Sequence, residues 1–155
     1  MRCVARNAHP IFLGSANDLS VTLEAVAEDA PIPKLAYMIL LSAVEKTATH
    51  VAIADHEVRF LTEGTWSSEL KLPAVVTAPV VRRLAIMASL PMVAKGGVAV
   101  GLIKLELKQQ LVWFCIEVDH DPITPGQMRA RLEAISERDW SPGRRPLLPT
   151  KHPYR

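Results

Sequence analysis

The sequence predicts a mixed α/β fold of the α+β class, in which an antiparallel sheet of about five strands is flanked by two main helices. A further helix is predicted near the C-terminus. Two segments have a helical pattern with a proline near the start. Each is followed by short apolar runs that turn residues separate, and such short connections join antiparallel strands. The 155 residues suffice for one domain with a core, and 49% of them are hydrophobic, as is typical of globular chains.

The first predicted helix follows Asp29 and ends near Thr49. Pro31 and Pro33 suit a first helical turn, where proline is tolerated. The polar residues fall on one stripe, about a third of the circumference, which predicts a helix embedded on most sides. This stripe contains Lys34, Ser42, Glu45, Lys46 and Thr49. Met38 interrupts the stripe as either a half-covered core residue or an interface anchor, and it is therefore a candidate interaction residue.

Three short strands are predicted after this helix. The first spans residues 50–54, the second contains Val58 and Phe60, and the third spans residues 66–72. Gly64 supplies the positive φ that the second reversal needs. Sequential strands with such short connections predict an antiparallel meander.

The second predicted helix begins with Thr77 as its N-cap and Pro79 in its first turn. Arg82 and Arg83 face outward in this pattern, and Pro91 ends the helix. A long hairpin, residues 98–107 and 111–118, follows. Both of its faces are largely apolar, so it is expected in the middle of the sheet or covered on both sides.

The character of the chain changes after Asp119. Residues 126–138 are predicted to form a helix because Met128, Leu132 and Ile135 share one helical face. The final residues combine prolines with basic side chains, a composition typical of a flexible tail. The predicted organisation is an irregular lead-in (1–27), the sheet domain (28–118), a helical extension (119–142) and a basic flexible tail (143–155).

Charge and composition argue against a nucleic-acid partner, a membrane-spanning segment, a secretory signal and a disulfide framework. A formal net charge of +2 is too small to predict a nucleic-acid partner. No apolar run approaches the roughly 20 residues that span a bilayer. The N-terminus lacks the apolar centre of a secretory signal, so a cytoplasmic location is expected. Cys115 lies in an apolar strand pattern and is predicted to be a small buried residue. Cys3 and Cys115 are far apart, and they suggest neither a disulfide framework nor a metal site.

Motifs typical of catalysis are missing from the sequence. It contains no G-x-x-x-x-G-K-[ST] phosphate-binding loop, no glycine-rich dinucleotide motif and no G-x-S-x-G. His50, Asp55 and His56 are close in sequence, but their spacing does not place ligands on one helical face, and solvated turn residues are the alternative to a metal site. A turn before a helix likewise explains residues 119–121. We therefore expect no enzymatic activity, no metal and no cofactor.

Three segments resemble the domain that precedes the motor in bacterial type II secretion and type IV pilus assembly ATPases. There the usual pattern runs D-x-P-I-V-x-L-V-N-x-I-L-x-x-A-x-x-x-G-A-S-D-I-H-I-E-P. The matching residues here are Asp29, Pro31, Ile32, Leu35, Ile39, Leu40, Ala43 and Ala48. EVRFLTEGTW resembles the family's V-R-x-R-x-D-G-x-L, and VVRRLAIMASLPMVAKG resembles I-x-R-I-K-I-M-A-x-L-D-I-A-E. The resemblance covers about residues 28–118 and implies a PAS-like sheet.

Within the matched segments, the chain also departs from the ATPases at several positions. In that family, arginines of this domain help contact nucleotide phosphates across the interface with a neighbouring motor. Arg59 matches the first arginine of the family's strand motif V-R-x-R, whereas Leu61 replaces the second arginine and Glu63-Gly64 replaces the D-G turn. We therefore expect a non-catalytic interaction or scaffold module that docks on a motor subunit or self-associates. The candidate interaction residues are Arg59, Arg82, Arg83 and Met38, the alternative for each arginine being an ordinary solvated side chain.

A small-molecule sensor is the competing function. PAS-like sheets often enclose a ligand, and four aromatic residues are available to line an apolar pocket. These residues are Phe60, Trp66, Trp113 and Phe114.

Overall fold

The structure confirms the α+β class. The computed structural model describes residues 31–124 and 127–147, so the predicted lead-in, Asp29 and the end of the predicted tail lie outside the described residues. The described elements are helix α1 (Ile32–Glu45), strands β1 (His50–Ala54), β2 (Glu57–Thr62) and β3 (Thr65–Lys71), helix α2 (Ala74–Met87), strands β4 (Val98–Leu107), β5 (Gln110–His120) and β6 (Met128–Ile135), and a 3-10 turn (Glu137–Asp139).

The described strands form one six-stranded sheet in the order β3-β2-β1-β6-β5-β4, and all neighbours are antiparallel. The sheet is therefore two three-stranded meanders joined along β1 and β6, and the first of them is the predicted meander. Three of the four hairpins in the sheet turn over two residues with positive φ, such as Glu63 (52°) and Gly64 (78°). This backbone twist matches the right-handed twist of the flanking strands.

One hydrophobic core lies between the two helices and one face of the sheet. Alternate strand residues, such as Val51 and Ile53 of β1, enter this core because side chains alternate between faces along a strand. Residues 35–43 of α1 are buried without interruption, which confirms the prediction of an embedded helix. Met38 is completely buried, so it is neither half-covered nor available as an interface anchor.

The predicted C-terminal helix is wrong, because residues 128–135 form strand β6 between β1 and β5. Met128, Ala130 and Leu132 are buried, and the intervening residues carry charge. This period of two is the strand pattern, whereas the helical prediction used the larger apolar residues alone. The sheet domain therefore extends well beyond residue 118, and the predicted helical extension is part of its centre.

Two further predictions need correction. Helix α2 begins at Ala74 with Pro73 as its N-cap, so Thr77 is inside the helix and Pro79 lies beyond its first turn. Strand β4 is at an edge of the sheet rather than in its middle, and it is not covered on both sides, because Lys104 on the face away from the helices is exposed. Strand β5 does have a paired strand on each side. The apolar character of β4 arises partly because its helix-facing residues enter the core, as Ile103 does with no exposed surface.

Candidate interaction surface

Helix α2 presents a mixed apolar and basic stripe to solvent. Val75 is 83% exposed and Ile86 is 60% exposed, and Arg82 between them is also exposed. At about 100° per residue these three side chains, with half-buried Pro79, lie within about 40° of Val75 around the helix axis. We call Val75, Pro79, Arg82 and Ile86 the α2 surface. Large apolar side chains exposed beside a guanidinium are typical of a protein-binding surface.

Arg83 extends this candidate site on the helix, and a further exposed apolar side chain, Met92, follows α2 in the chain. Arg83 is half-buried at the margin of the stripe, and Met92, five residues after the end of α2, is 92% exposed. The sequence prediction named the arginines but missed Val75, Ile86 and Met92. The signal for the first two was present in the spacing of Val75, Pro79, Arg82 and Ile86, which repeats at three or four residues on one helical face.

The structure separates Arg59 from Arg82 and Arg83. Arg59 lies on the sheet face turned away from the helices, which we call the outer face, because its neighbour Phe60 enters the core. There its Nε donates to Glu57 Oε1 at 3.0 Å. A hydrogen bond from Ser68, and then the contact with Arg59, lower the pKa of Glu57. The three predicted arginines therefore do not form one docking face, and only two of them belong with α2.

The C-terminal segment, residues 136–147, crosses the outer face. Glu133 of β6 accepts hydrogen bonds from Arg144 Nη1 at 2.9 Å and from the backbone N–H of Leu147 at 3.0 Å. The Leu147 carbonyl in turn accepts from the His50 ring, and Pro146 is buried. Residues 143–147 are therefore packed against the sheet, in contrast to the predicted flexible tail.

Charged side chains of the outer face pair with this segment and with each other. Glu117 of β5 is buried and contacts both Arg131, at 3.3 Å from Nη2 to Oε1, and Arg145. Arg129 binds Asp119 through two hydrogen bonds of 3.2 and 3.0 Å. Since Arg131 and Glu117 are directly opposite in the β5–β6 register, the pairing is a cross-strand ion pair.

Cys115 lies beneath the C-terminal segment, completely buried, and its thiol donates to the Arg144 carbonyl at 3.2 Å. Burial raises the pKa of the Cys115 thiol, so the nucleophilic thiolate is scarce at neutral pH. This agrees with the prediction of a small buried residue. It also makes Cys115 a chemical probe of whether the segment stays in place.

In a chain whose Cys3 is replaced by serine, Cys115 is expected not to react with an aromatic disulfide reagent at pH 7.5, a condition we choose because an ordinary thiol reacts readily there. Denaturant should make one thiol per chain react rapidly. The measurement is the thiolate product released over time, with free cysteine as the control. Rapid native reaction of one thiol per chain would contradict the covering of Cys115 by residues 136–147.

The histidines singled out in the sequence have separate partners. His50 Nδ1 contacts Thr49 Oγ1 at 3.1 Å, whereas His56 Nδ1 contacts Thr77 Oγ1 at 2.9 Å. Asp121 Oδ1 accepts from the backbone N–H groups of Ile123 and Thr124, and these bonds lower its pKa, as expected for a turn residue. In the described parts of the chain, no three His, Cys, Asp or Glu side chains are grouped as metal ligands.

The four aromatic residues predicted to line a pocket are divided between the two faces of the sheet. Phe60 and Phe114 are in the core under the helices. Trp66 lies on the outer face, where its ring centroid is 6.4 Å from that of His50. Trp113 is on the same face with the Lys104 ammonium 5.1 Å from its ring centroid. These four side chains therefore do not line one cavity.

No protein-family model matches the chain, and no curated protein matches it. Neither of the two described helices is long and apolar enough to cross a bilayer. The similarity to the domain that precedes the motor of assembly ATPases stays a prediction, based on the residues of α1, β2 and α2.

Proposed function

We propose that this chain is a non-catalytic cytoplasmic interaction module, related to the domain that precedes the motor in secretion and pilus assembly ATPases. It binds a motor subunit of that class through the α2 surface. The observation that carries the proposal is the position of Arg82 between two exposed apolar side chains, Val75 and Ile86, on one helix. In the resemblance, this helix corresponds to the segment I-x-R-I-K-I-M-A.

The chemistry of the α2 surface indicates the kind of partner it fits. Complete burial of a valine or isoleucine side chain contributes about 1.5–3 kcal/mol, so Val75 and Ile86 together supply a useful share of a binding free energy. A guanidinium stays charged at all physiological pH values and binds carboxylates in a forked geometry. The expected partner surface is therefore an apolar groove with acidic residues on its rim.

The arrangement of ionisable groups supports a role in binding rather than catalysis. On the outer face, Glu117, Asp119 and Glu133 each pair with arginines of this chain. Removing one partner of a buried pair of this kind destabilises a fold, so the carboxylate has a structural role. Their charges compensate one another within the chain, and we propose no reaction for them.

Affinity capture from cells that contain a secretion or pilus ATPase tests the proposal. The tagged full chain should recover a motor subunit, identified by mass spectrometry. The double variant R82E/I86D should lose it, because it repels an acidic rim and removes an apolar contact. K71E is the matched control, since Lys71 is exposed on β3 and undergoes the same charge change as Arg82. Recovery of no assembly component, or equal recovery by R82E/I86D, would count against the proposal.

A further inference from the structure

The two edges of the sheet differ in how well they are protected against pairing with another strand. Edge strand β3 spans Thr65–Lys71, and its register with β2 shifts between Val58 and Arg59. Its exposed residues are polar, and Glu69 forms an ion pair with Lys46 at 3.2 Å. A short, irregular and charged strand is the usual protection of an edge.

Edge strand β4 has fewer of these protections. It is ten residues long, contains no proline and pairs with β5 in an unbroken register. Among the described residues, no strand pairs with its other side. Long, regular, largely apolar edges are templates for an added strand.

The hairpin geometry shows which backbone groups of β4 point away from the sheet. Lys108 and Gln109 form a two-residue turn with φ of 52° and 62°, so Leu107 and Gln110 are the hydrogen-bonded pair that closes it. Alternate residues then direct their N–H and C=O groups to the open edge. These outward residues are Val98, Val100, Leu102, Lys104 and Glu106.

We propose that a second copy of this chain pairs antiparallel with β4 about a two-fold axis at Leu105, forming a continuous sheet. In this register Lys104 of each copy is opposite Glu106 of the second copy, and each pair exchanges both backbone N–H···O bonds. Both residues belong to the outward set, as a hydrogen-bonded pair requires. On the helix-facing side, Ile103 meets Leu107 of the second copy, which extends the apolar face.

The charged residues of β4 favour one pairing register and a second copy of this chain as the added strand. An axis at Lys104 would place two ammonium groups opposite each other, and an axis at Leu102 would place each charge opposite a valine. Of the three axes, only the one at Leu105 places Lys104 of each copy opposite Glu106 of the second copy, which gives two ion pairs. The same short segment of each copy forms both sides of the interface. This self-complementarity is the property of a two-fold interface between identical chains. The proposal goes beyond binding through α2, because the α2 surface takes no part in it.

The test is the self-association constant of the full chain by sedimentation equilibrium. Wild type should be a reversible dimer, and K104E and E106K should each weaken the dimer by about tenfold or more, since each change creates two like-charge pairs. The double swap K104E/E106K should restore the wild-type constant, and an equimolar mixture of the two single variants should form heterodimers.

Three controls separate this pairing from other effects. K104Q removes the contact with the Trp113 ring without introducing repulsion, so it should weaken the dimer less than K104E does. K71E, on the other edge, and R82E, on the α2 surface, should leave the constant unchanged. A wild-type chain that stays monomeric, as it would if a segment of its own covered β4, overturns the proposal. Failure of both the double swap and the mixture to restore association also overturns it.

Discussion

Replacing Glu117 with alanine is expected to lower the free energy of unfolding by about 3 kcal/mol, because one partner of a buried ion pair disappears. The Glu117 side chain is 4% exposed and contacts two guanidinium groups, those of Arg131 and Arg145. Arg131 is itself only 17% exposed, so it would lose this carboxylate where water is a poor substitute. The cost of leaving a buried charge without this partner exceeds the modest value of an exposed pair.

Urea unfolding followed by tryptophan fluorescence measures this effect. Glu137 provides the matched control, because it is exposed in the 3-10 turn and undergoes the same truncation in E137A. Arg145 is 61% exposed, so R145A should destabilise less than E117A. If E117A and E137A had equal unfolding midpoints, Glu117 would not be the buried centre of the outer-face ion pairs.

Replacing Met38 with alanine is expected to lower the free energy of unfolding by about 2–5 kcal/mol, the usual cost of truncating a large core side chain. Met38 has no exposed surface and lies within a run of nine buried residues of α1. The cost has two origins, the lost transfer of the side chain out of water and the cavity left in a packed interior. An effect of this size would unfold a marginally stable domain substantially.

Met92 provides the matched control for M38A, because it is the same residue type at an exposed position. Its side chain is 92% exposed, so M92A should change the free energy of unfolding by less than about 0.5 kcal/mol. Denaturant unfolding of the two variants under identical conditions makes the comparison. A small effect of M38A, similar to that of M92A, would contradict the burial of Met38.

Local patterns were sufficient to predict the embedded helix and the first meander. The polar stripe of α1 is narrow, and the turn at Glu63 and Gly64 carries its own signal in the glycine. Both features depend on residues close together in the chain. Periodicity and turn chemistry report such short-range structure directly.

Strand β6 was missed because two periods fit the same residues. Met128 and Leu132 are four residues apart, as on a helix, but Ala130 between them is also buried and gives the alternation of a strand. A small residue carries little weight in a pattern of large apolar side chains. What favours the strand is the pairing of residues 128–135 with β1 and β5. The partner β1 is far away in the sequence, so this pairing leaves no signal in the local pattern.

The packing of the C-terminal segment was missed for the same reason. The composition of residues 143–155 is typical of a flexible tail. However, Arg144 forms an ion pair with Glu133, 11 residues away, and Arg145 forms one with Glu117, 28 residues away. Ion pairs over such distances leave no local pattern. The division of Arg59 from Arg82 is likewise a property of the two faces of the sheet, which neighbouring residues do not specify.

The affinity of the purified chain for a purified secretion or pilus motor ATPase from the same genome most directly tests the proposed role. We expect saturable binding by wild type and K71E, and binding weaker by about tenfold or more for R82E, which corresponds to about 1.4 kcal/mol at the interface. The absence of binding by wild type, or an R82E affinity equal to that of wild type, would contradict docking of a motor subunit through α2.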